Sequence, residues 1–133
     1  MFSFLARSAI SSIFVFGGQA AMREPGGRTA MVEKTGRAVG VELDENEAAT
    51  LVKLNGAVMA GAGATFALGI LPRVSAAALI GSLVPTTLAG HAFWEEKDPA
   101  ARKGQLTQFL KNAAIVGGLA LVLFGGGKRD SAA

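Results

Sequence analysis

The chain has 133 residues; half of them are hydrophobic, 18 more are glycine, and only 17% are charged. A soluble domain has about 45–50% apolar residues with glycine counted, so this composition excludes an ordinary soluble domain and predicts a membrane protein. The net charge is +3, but the basic residues form no solvated patch with interleaved aromatic residues, so we expect no nucleic-acid partner.

The sequence has no cysteine and one histidine, His91. Disulfides, thiolate nucleophiles and metal clusters with cysteine ligands are therefore excluded in this chain. One histidine also excludes a bis-histidine haem and a multi-histidine metal cluster. We expect no metal site and no cofactor that this chain holds by itself.

Four apolar stretches are long enough to cross a bilayer, which takes about 20 helical residues at 1.5 Å each. They cover about residues 2–22, 48–71, 74–94 and 106–124. We expect an all-α fold, an integral-membrane four-helix bundle in one domain over residues 1–133. The first stretch resembles a signal peptide, but it lacks a good cleavage site and three further spans follow, so we expect it to be retained.

Charged loops are predicted at residues 23–47 and 95–105. In the first loop, residues 29–39 form either a short helix in the membrane interface or a polar loop, because the glycines there oppose a helix. Asp44 with Glu47 is typical of a capping box that starts the second membrane helix.

Other boundary signals follow along the chain. Asp98-Pro99 is typical of a helix start before the fourth span. The glycines at residues 125–127 are typical of a helix end after it. The short link at residues 71–73 predicts a tight antiparallel hairpin. Pro85 predicts a kink in the third span, where Ser82 or Thr86 can bond the carbonyl that proline leaves free.

The distribution of lysine and arginine predicts the topology. An even number of spans puts both termini and the 71–73 turn on one side and the two longer loops on the other. Nine basic residues lie nearer the loop side and four nearer the terminal side, or seven against four without Lys53 and Lys111. By the positive-inside rule, loops 23–47 and 95–105 are cytoplasmic and both termini are external.

Polar side chains inside the spans gather near the loop side, which predicts a polar vestibule there. His91, Trp94 and Glu95 have the spacing of one helix face, and a second polar stripe in the fourth span flanks the same loop, so the two can face each other. In the alternative interpretation, lysines snorkel, the tryptophan anchors at the interface and amides hold helices together. The ligand-binding candidates are Lys53, Asn55, His91, Trp94, Gln105, Gln108, Lys111 and Asn112.

The segment His91-Ala-Phe-Trp-Glu-Glu-Lys-Asp98 leads into Gln108-Phe-Leu-Lys-Asn112 and Val116-Gly-Gly-Leu119. This pattern, with four spans, an early arginine at Arg7 and a glycine-rich second span, resembles the DoxX family of small bacterial membrane proteins. The most specific part of the resemblance is residues 85–119. Relatives often have a lysine near the glycines that end the first span, where this chain has Gln19.

The resemblance implies a multi-pass protein of the bacterial cytoplasmic (inner) membrane, since the family is named after a membrane subunit of a thiosulfate:quinone oxidoreductase. Members are associated with membrane redox and oxidative-stress assemblies. Because this chain lacks thiols, a protein partner in the membrane complex is expected to supply the redox centre.

Two functions remain open. The first is a non-catalytic scaffold or accessory subunit, favoured by small residues at four-residue spacing that allow close helix approach. The second is a quinone- or small-anion-binding subunit of an oxidoreductase, with His91 and Glu95 as catalytic candidates and Lys53 or Lys111 holding an oxyanion. A transporter gains little support, because no inverted repeat is evident. The small-residue pairs are Ala57 with Gly61, Ala77 with Gly81, Ala113 with Gly117 and Ala114 with Gly118.

Overall fold

The computed structural model describes residues 2–125, which are helical with short connections and contain no strand. The chain forms two compact units, and the boundary between them follows Leu71. The first contains α1 (Phe2–Arg23), α2 (Gly26–Ala38) and α3 (Glu45–Leu68). The second contains α4 (Pro72–Gly90), a 3-10 helix (Phe93–Glu95) and α5 (Pro99–Gly125).

Three helical segments of the described chain are long and apolar enough to cross a membrane, namely Glu45–Leu68, Pro72–Glu95 and Pro99–Gly125. The first predicted span is fully helical as α1, but it is not among these three. Its sequence includes Arg7, four serines and Gln19, which lower its apolar content. The all-helical fold and its membrane character are therefore confirmed.

In the first unit, α1 and α3 pack closely along their length. The core is formed by Phe14 and Ala21 of α1 with Val52 and Phe66 of α3. The contact depends on glycine, because a methyl group at Gly56 would lie 2.7 Å from the Gly18 carbonyl oxygen. The two backbones are therefore closer than any side chain would permit.

The start of α3 is the capping box that the sequence predicts. Asp44 Oδ1 accepts from the Glu47 amide at 2.8 Å, and Glu47 Oε2 accepts from the Asp44 amide at 3.0 Å. The helix ends three residues earlier than the predicted span, at Leu68, because Gly69 takes a left-handed conformation with φ of 72°. Leu71, directly before α4, also has a positive φ, of 44°.

Residues 26–38 of the first loop form a helix, so the helical alternative for residues 29–39 is correct, while its place in the membrane interface stays a prediction. α2 packs on α3 and buries Thr29 and Gly36. A methyl group at Gly36 would lie 2.8 Å from the Val41 carbonyl oxygen, so glycine here allows the chain to turn back toward α3. Packing therefore outweighs the poor helix propensity of the glycines.

In the second unit, α4 and α5 pack around Ala76, Leu79 and Leu119. Pro85 lies inside α4, and Thr86 Oγ1 donates to the Ser82 carbonyl at 2.8 Å. Pro85 has no N–H to donate to the Gly81 carbonyl, four residues earlier. The Thr86 hydroxyl bonds the next carbonyl along the chain, that of Ser82, and not the one left free. Thr87 does the same one residue later, to Leu83 at 2.7 Å.

α5 begins at Pro99, well before the apolar span at residue 106. Asp98 Oδ2 accepts from the Ala101 amide at 3.0 Å, as its position before a proline predicts. Most of the predicted loop 95–105 is therefore helical, and only a short connection separates the 3-10 helix from α5. The predicted helix end at residues 125–127 lies outside the described residues except for Gly125, the last residue of α5.

Candidate functional site

A set of polar and aromatic side chains of the second unit meets where α4, the 3-10 helix and α5 come together. We call this set the junction site; its members are Thr87, His91, Phe93, Trp94, Gln105, Phe109 and Asn112. α4 ends at Gly90, and the chain turns through Ala92 into the 3-10 helix. This turn brings side chains that follow α4 against the first turns of α5.

The central contact joins His91 and Gln105, whose Nδ1 and Oε1 atoms are 2.8 Å apart. An amide oxygen only accepts, so Nδ1 carries the hydrogen. In the neutral imidazole Nε2 is then an acceptor. No described residue forms a hydrogen bond with Nε2. This atom can therefore accept a hydrogen bond from a ligand or from another chain.

Deeper in the unit, Asn112 Nδ2 donates to Thr87 Oγ1 at 3.0 Å. Asn112 is 6% exposed, and Thr87 is equally buried. The threonine hydroxyl also donates to Leu83, so it acts as both donor and acceptor. This bond fixes the rotation of α5 against α4 one turn below His91.

Three aromatic rings form the outer part of the junction site. The ring centroid of Phe93 lies 5.2 Å from that of Trp94 and 5.3 Å from that of Phe109. The centroids of Trp94 and Phe109 are 6.0 Å apart, and all three pairs have edge-to-face geometry. Such pairs are favourable because the positive ring edge meets the negative ring face. Trp94 remains about half exposed, which leaves part of the indole for a partner or the membrane interface.

The connection before α5 is held by an arginine. Arg102 Nε and Nη2 both donate to the Glu96 carbonyl oxygen, at 3.1 and 2.9 Å. This fork fixes the backbone between the 3-10 helix and α5. Arg102 therefore acts as a positioning residue for the aromatic cluster.

The structure brings together four of the candidate residues, namely His91, Trp94, Gln105 and Asn112. It separates Gln108 and Lys111 from them, because both are exposed on α5. The expected common helix face of His91, Trp94 and Glu95 is wrong, since α4 ends at Gly90 and these residues do not share one α-helix.

Two candidates belong to the first unit and are described there. Lys53 is exposed on α3, and Asn55 is half-buried with its Nδ2 3.5 Å from the Met59 sulfur. In the described part of the chain, neither Lys53 nor Lys111 has a hydrogen bond or ion pair. Within residues 2–125, each lysine is therefore a charged side chain without a partner on an apolar helix.

Sequence reasoning missed Thr87 as a member of the site and gave Phe93 and Phe109 no role. Thr87 lies four residues before His91, and Phe109 four after Gln105 and three before Asn112, so helical spacing places each beside a known candidate. Within residues 2–125 there is no group of three or more histidine, aspartate or glutamate side chains that could hold a metal ion.

Comparison with known proteins supplies the family. The DoxX family model matches residues 2–92, more than half of the chain. The match covers α1 to α4 and includes only the beginning of the 85–119 segment, in which the resemblance is most specific. No curated protein and no solved structure matches the chain. A family match of this extent is sufficient: the chain belongs to the DoxX family.

Proposed function

We propose that this DoxX protein is a non-catalytic accessory subunit that anchors or scaffolds a redox or oxidative-stress assembly in the bacterial cytoplasmic membrane. The observation that carries the proposal is the exposure of its membrane-length helices. In the most apolar part of α5 only 11% of residues are buried, so most of its surface is left for lipid and partner helices. The absence of cysteine means that thiol chemistry in the assembly comes from another chain.

The small-residue pairs support the same proposal. A methyl group at Gly61, Gly81 or Gly117 would have no described atom within 4 Å. These glycines are thus not used in packing within the described residues, and they leave backbone accessible to another helix. Close approach at such positions is a common way to join transmembrane helices.

We infer that all four predicted spans cross the membrane as a bundle, with loops 23–47 and 95–105 in the cytoplasm and both termini outside. α1 contains 22 residues, about 33 Å at 1.5 Å per residue, which is enough to cross. Its two arginines, Arg7 and Arg23, lie toward its two ends, where long side chains can reach the interface.

The scaffold proposal is tested by purification from native membranes in mild detergent. We expect the chain to elute with a stoichiometric protein partner, and Gly117→Leu to reduce the recovered partner severalfold by blocking close approach. Gly104→Leu is the matched control, because that glycine is also exposed on α5 but precedes the apolar span. A chain that elutes alone at full yield would contradict the proposal.

The junction site favours a second candidate function, a quinol-binding subunit. With Nδ1 donating to Gln105, neutral His91 presents Nε2 as an acceptor for the hydroxyl of a quinol, and the aromatic cluster offers apolar surface for its ring. Oxidation of the quinol releases two protons and two electrons; His91 would take up one proton, and the other would pass to water on the loop side. The electrons would pass to a redox group in a partner chain, because no residue type in this chain accepts them.

His91→Ala tests this second function in membranes that contain the native complex. We expect at least about a tenfold loss of quinone-coupled activity at unchanged complex abundance, in line with general acid–base contributions. Gln108→Ala, on the exposed side of α5, should leave the rate unchanged. Equal rates for His91→Ala and wild type would reject a catalytic His91 and leave the scaffold proposal intact.

A further inference from the structure

Arg7 lies at the end of the first unit where α3 terminates. A methyl group added at Gly69, the residue that ends α3, would be 2.9 Å from Nη2 and 3.3 Å from Cζ of Arg7. The guanidinium therefore packs directly on the helix end. α3 has no basic residue of its own in its last turn, so Arg7 is the cation at this terminus.

Among the described residues, no carboxylate balances the charge of Arg7. In the described residues Arg7 makes no ion pair, and every acid of the first unit lies between residues 24 and 47. Those residues adjoin the C-terminus of α1 and the N-terminus of α3, at the opposite end of both helices. The dipole of α3 supplies only about half a negative charge at its C-terminus.

Two polar atoms on this face of α1 are buried without hydrogen-bond partners in the described chain. They are Nε of Arg7 and Oγ of Ser11, one helical turn apart, and Ser11 is 2% exposed. Buried polar groups are nearly always satisfied, so a pair of exceptions points to a polar group that α1 and α3 do not provide. A guanidinium prefers an oxyanion, since its N–H groups match two oxygens.

The surroundings are apolar and exposed. The exposed Phe4 and Leu5 precede Arg7 by three and two residues in α1, and the exposed residues at the end of α3 are Leu68, Ile70 and Leu71. A single cation within an apolar rim is suited to an amphiphile, which pairs a charged head with hydrocarbon chains. A free oxyanion would use the cation but gain nothing from the rim.

We propose that the Arg7 end of the first unit is a phospholipid site, in which the Arg7 guanidinium binds the phosphate and the apolar rim contacts the acyl chains. The site goes beyond the accessory role, since it does not involve the junction site or a protein partner. It also explains why an arginine is placed in a helix of a membrane protein with no acidic neighbour among the described residues.

The test uses the purified full chain in neutral detergent, with three additives: phosphatidylglycerol, diacylglycerol with the same acyl chains, and inorganic phosphate. Bound lipid is counted by native mass spectrometry and thermal unfolding is followed in parallel. We expect phosphatidylglycerol alone to bind and to raise the unfolding temperature. For Arg7→Gln we expect about tenfold weaker binding or more, as charge-assisted hydrogen bonds are lost.

Arg37→Gln is the matched control, because it removes the same charge from an exposed position on α2 and should bind as wild type does. Equal binding of diacylglycerol would overturn the proposal in favour of apolar contact alone, and stabilisation by inorganic phosphate would overturn it in favour of a free oxyanion. An equal loss of phosphatidylglycerol binding in Arg37→Gln would overturn the proposal, because net charge and not the Arg7 site would then determine binding. If Arg7→Gln does not fold, Arg7→Lys should bind with intermediate affinity, and the comparison of additives on wild type still decides.

Discussion

The bond between Asn112 and Thr87 is the best-defined side-chain interaction of the junction site, since it is buried and joins two helices. We predict that Thr87→Val and Asn112→Leu each destabilise the protein and that a double-mutant cycle gives a coupling energy of about 0.6 kcal/mol, the average that such cycles give for hydrogen bonds between membrane helices. Reversible unfolding in mixed micelles measures it.

Gln108→Leu serves as the control for that cycle, since Gln108 is exposed on the same helix. We expect it to change the free energy of unfolding by less than about 0.5 kcal/mol. If the Thr87 and Asn112 changes are additive, the bond contributes nothing to the packing of α4 on α5.

At the scale of residues, the sequence indicated the unusual members of the junction site but not the ordinary ones. His91, Gln105 and Asn112 stand out because polar side chains are rare in apolar spans. Thr87 and Phe109 are residue types common in membrane helices, so their type does not single them out, and only their helical spacing from His91, Gln105 and Asn112 points to them. The role of the candidates in ligand binding stays a prediction.

The contact between α1 and α3 depends on glycine, which leads to a prediction for the whole element. We predict that Gly56→Ala destabilises the first unit by about 1–3 kcal/mol or more, because the new methyl group would lie 2.7 Å from the Gly18 carbonyl oxygen and 3.0 Å from Ala21 Cβ. Backbone atoms cannot move aside as a flexible side chain can. The free energy of unfolding in micelles checks the prediction.

Gly61→Ala provides the comparison within the same helix. No described atom lies within 4 Å of its methyl position, so we expect no loss and a gain of up to about 1 kcal/mol from helix propensity. Equal destabilisation by both substitutions would show that propensity or solvation, and not the α1 contact, determines the effect.

Helix starts were predictable because they depend on neighbours in sequence. The capping box at Asp44 and the start at Asp98-Pro99 are local, and both are present. Helix contacts were not predictable in the same way. Four-residue spacing selected Gly61, Gly81 and Gly117, yet the close contact uses Gly18 and Gly56, because spacing along one helix does not tell which face meets another.

For the chain as a whole, composition predicted a membrane protein, and the four bilayer-length apolar stretches predicted that it is all-helical. The number of spans was harder, because α1 is helical over the predicted range but carries Arg7, serines and Gln19. Averaged over its length α1 is as apolar as α5, yet it is not among the three segments that are long and apolar enough to cross a membrane, and length alone cannot decide. The topology therefore depends on whether α1 crosses.

The lack of native cysteine makes that question accessible to labelling, since each introduced thiol is unique. With four spans we predict that Ser3→Cys and Arg73→Cys react with a membrane-impermeant maleimide in intact cells, while Arg28→Cys and Lys103→Cys react only after permeabilisation. If α1 does not cross, Ser3→Cys will instead react together with Arg28→Cys. If the orientation is the reverse of the positive-inside assignment, the cysteines at residues 28 and 103 will react in intact cells and those at residues 3 and 73 only after permeabilisation. The pairing of Ser3 with Arg73 therefore reports the span count, and the side on which they react reports the orientation.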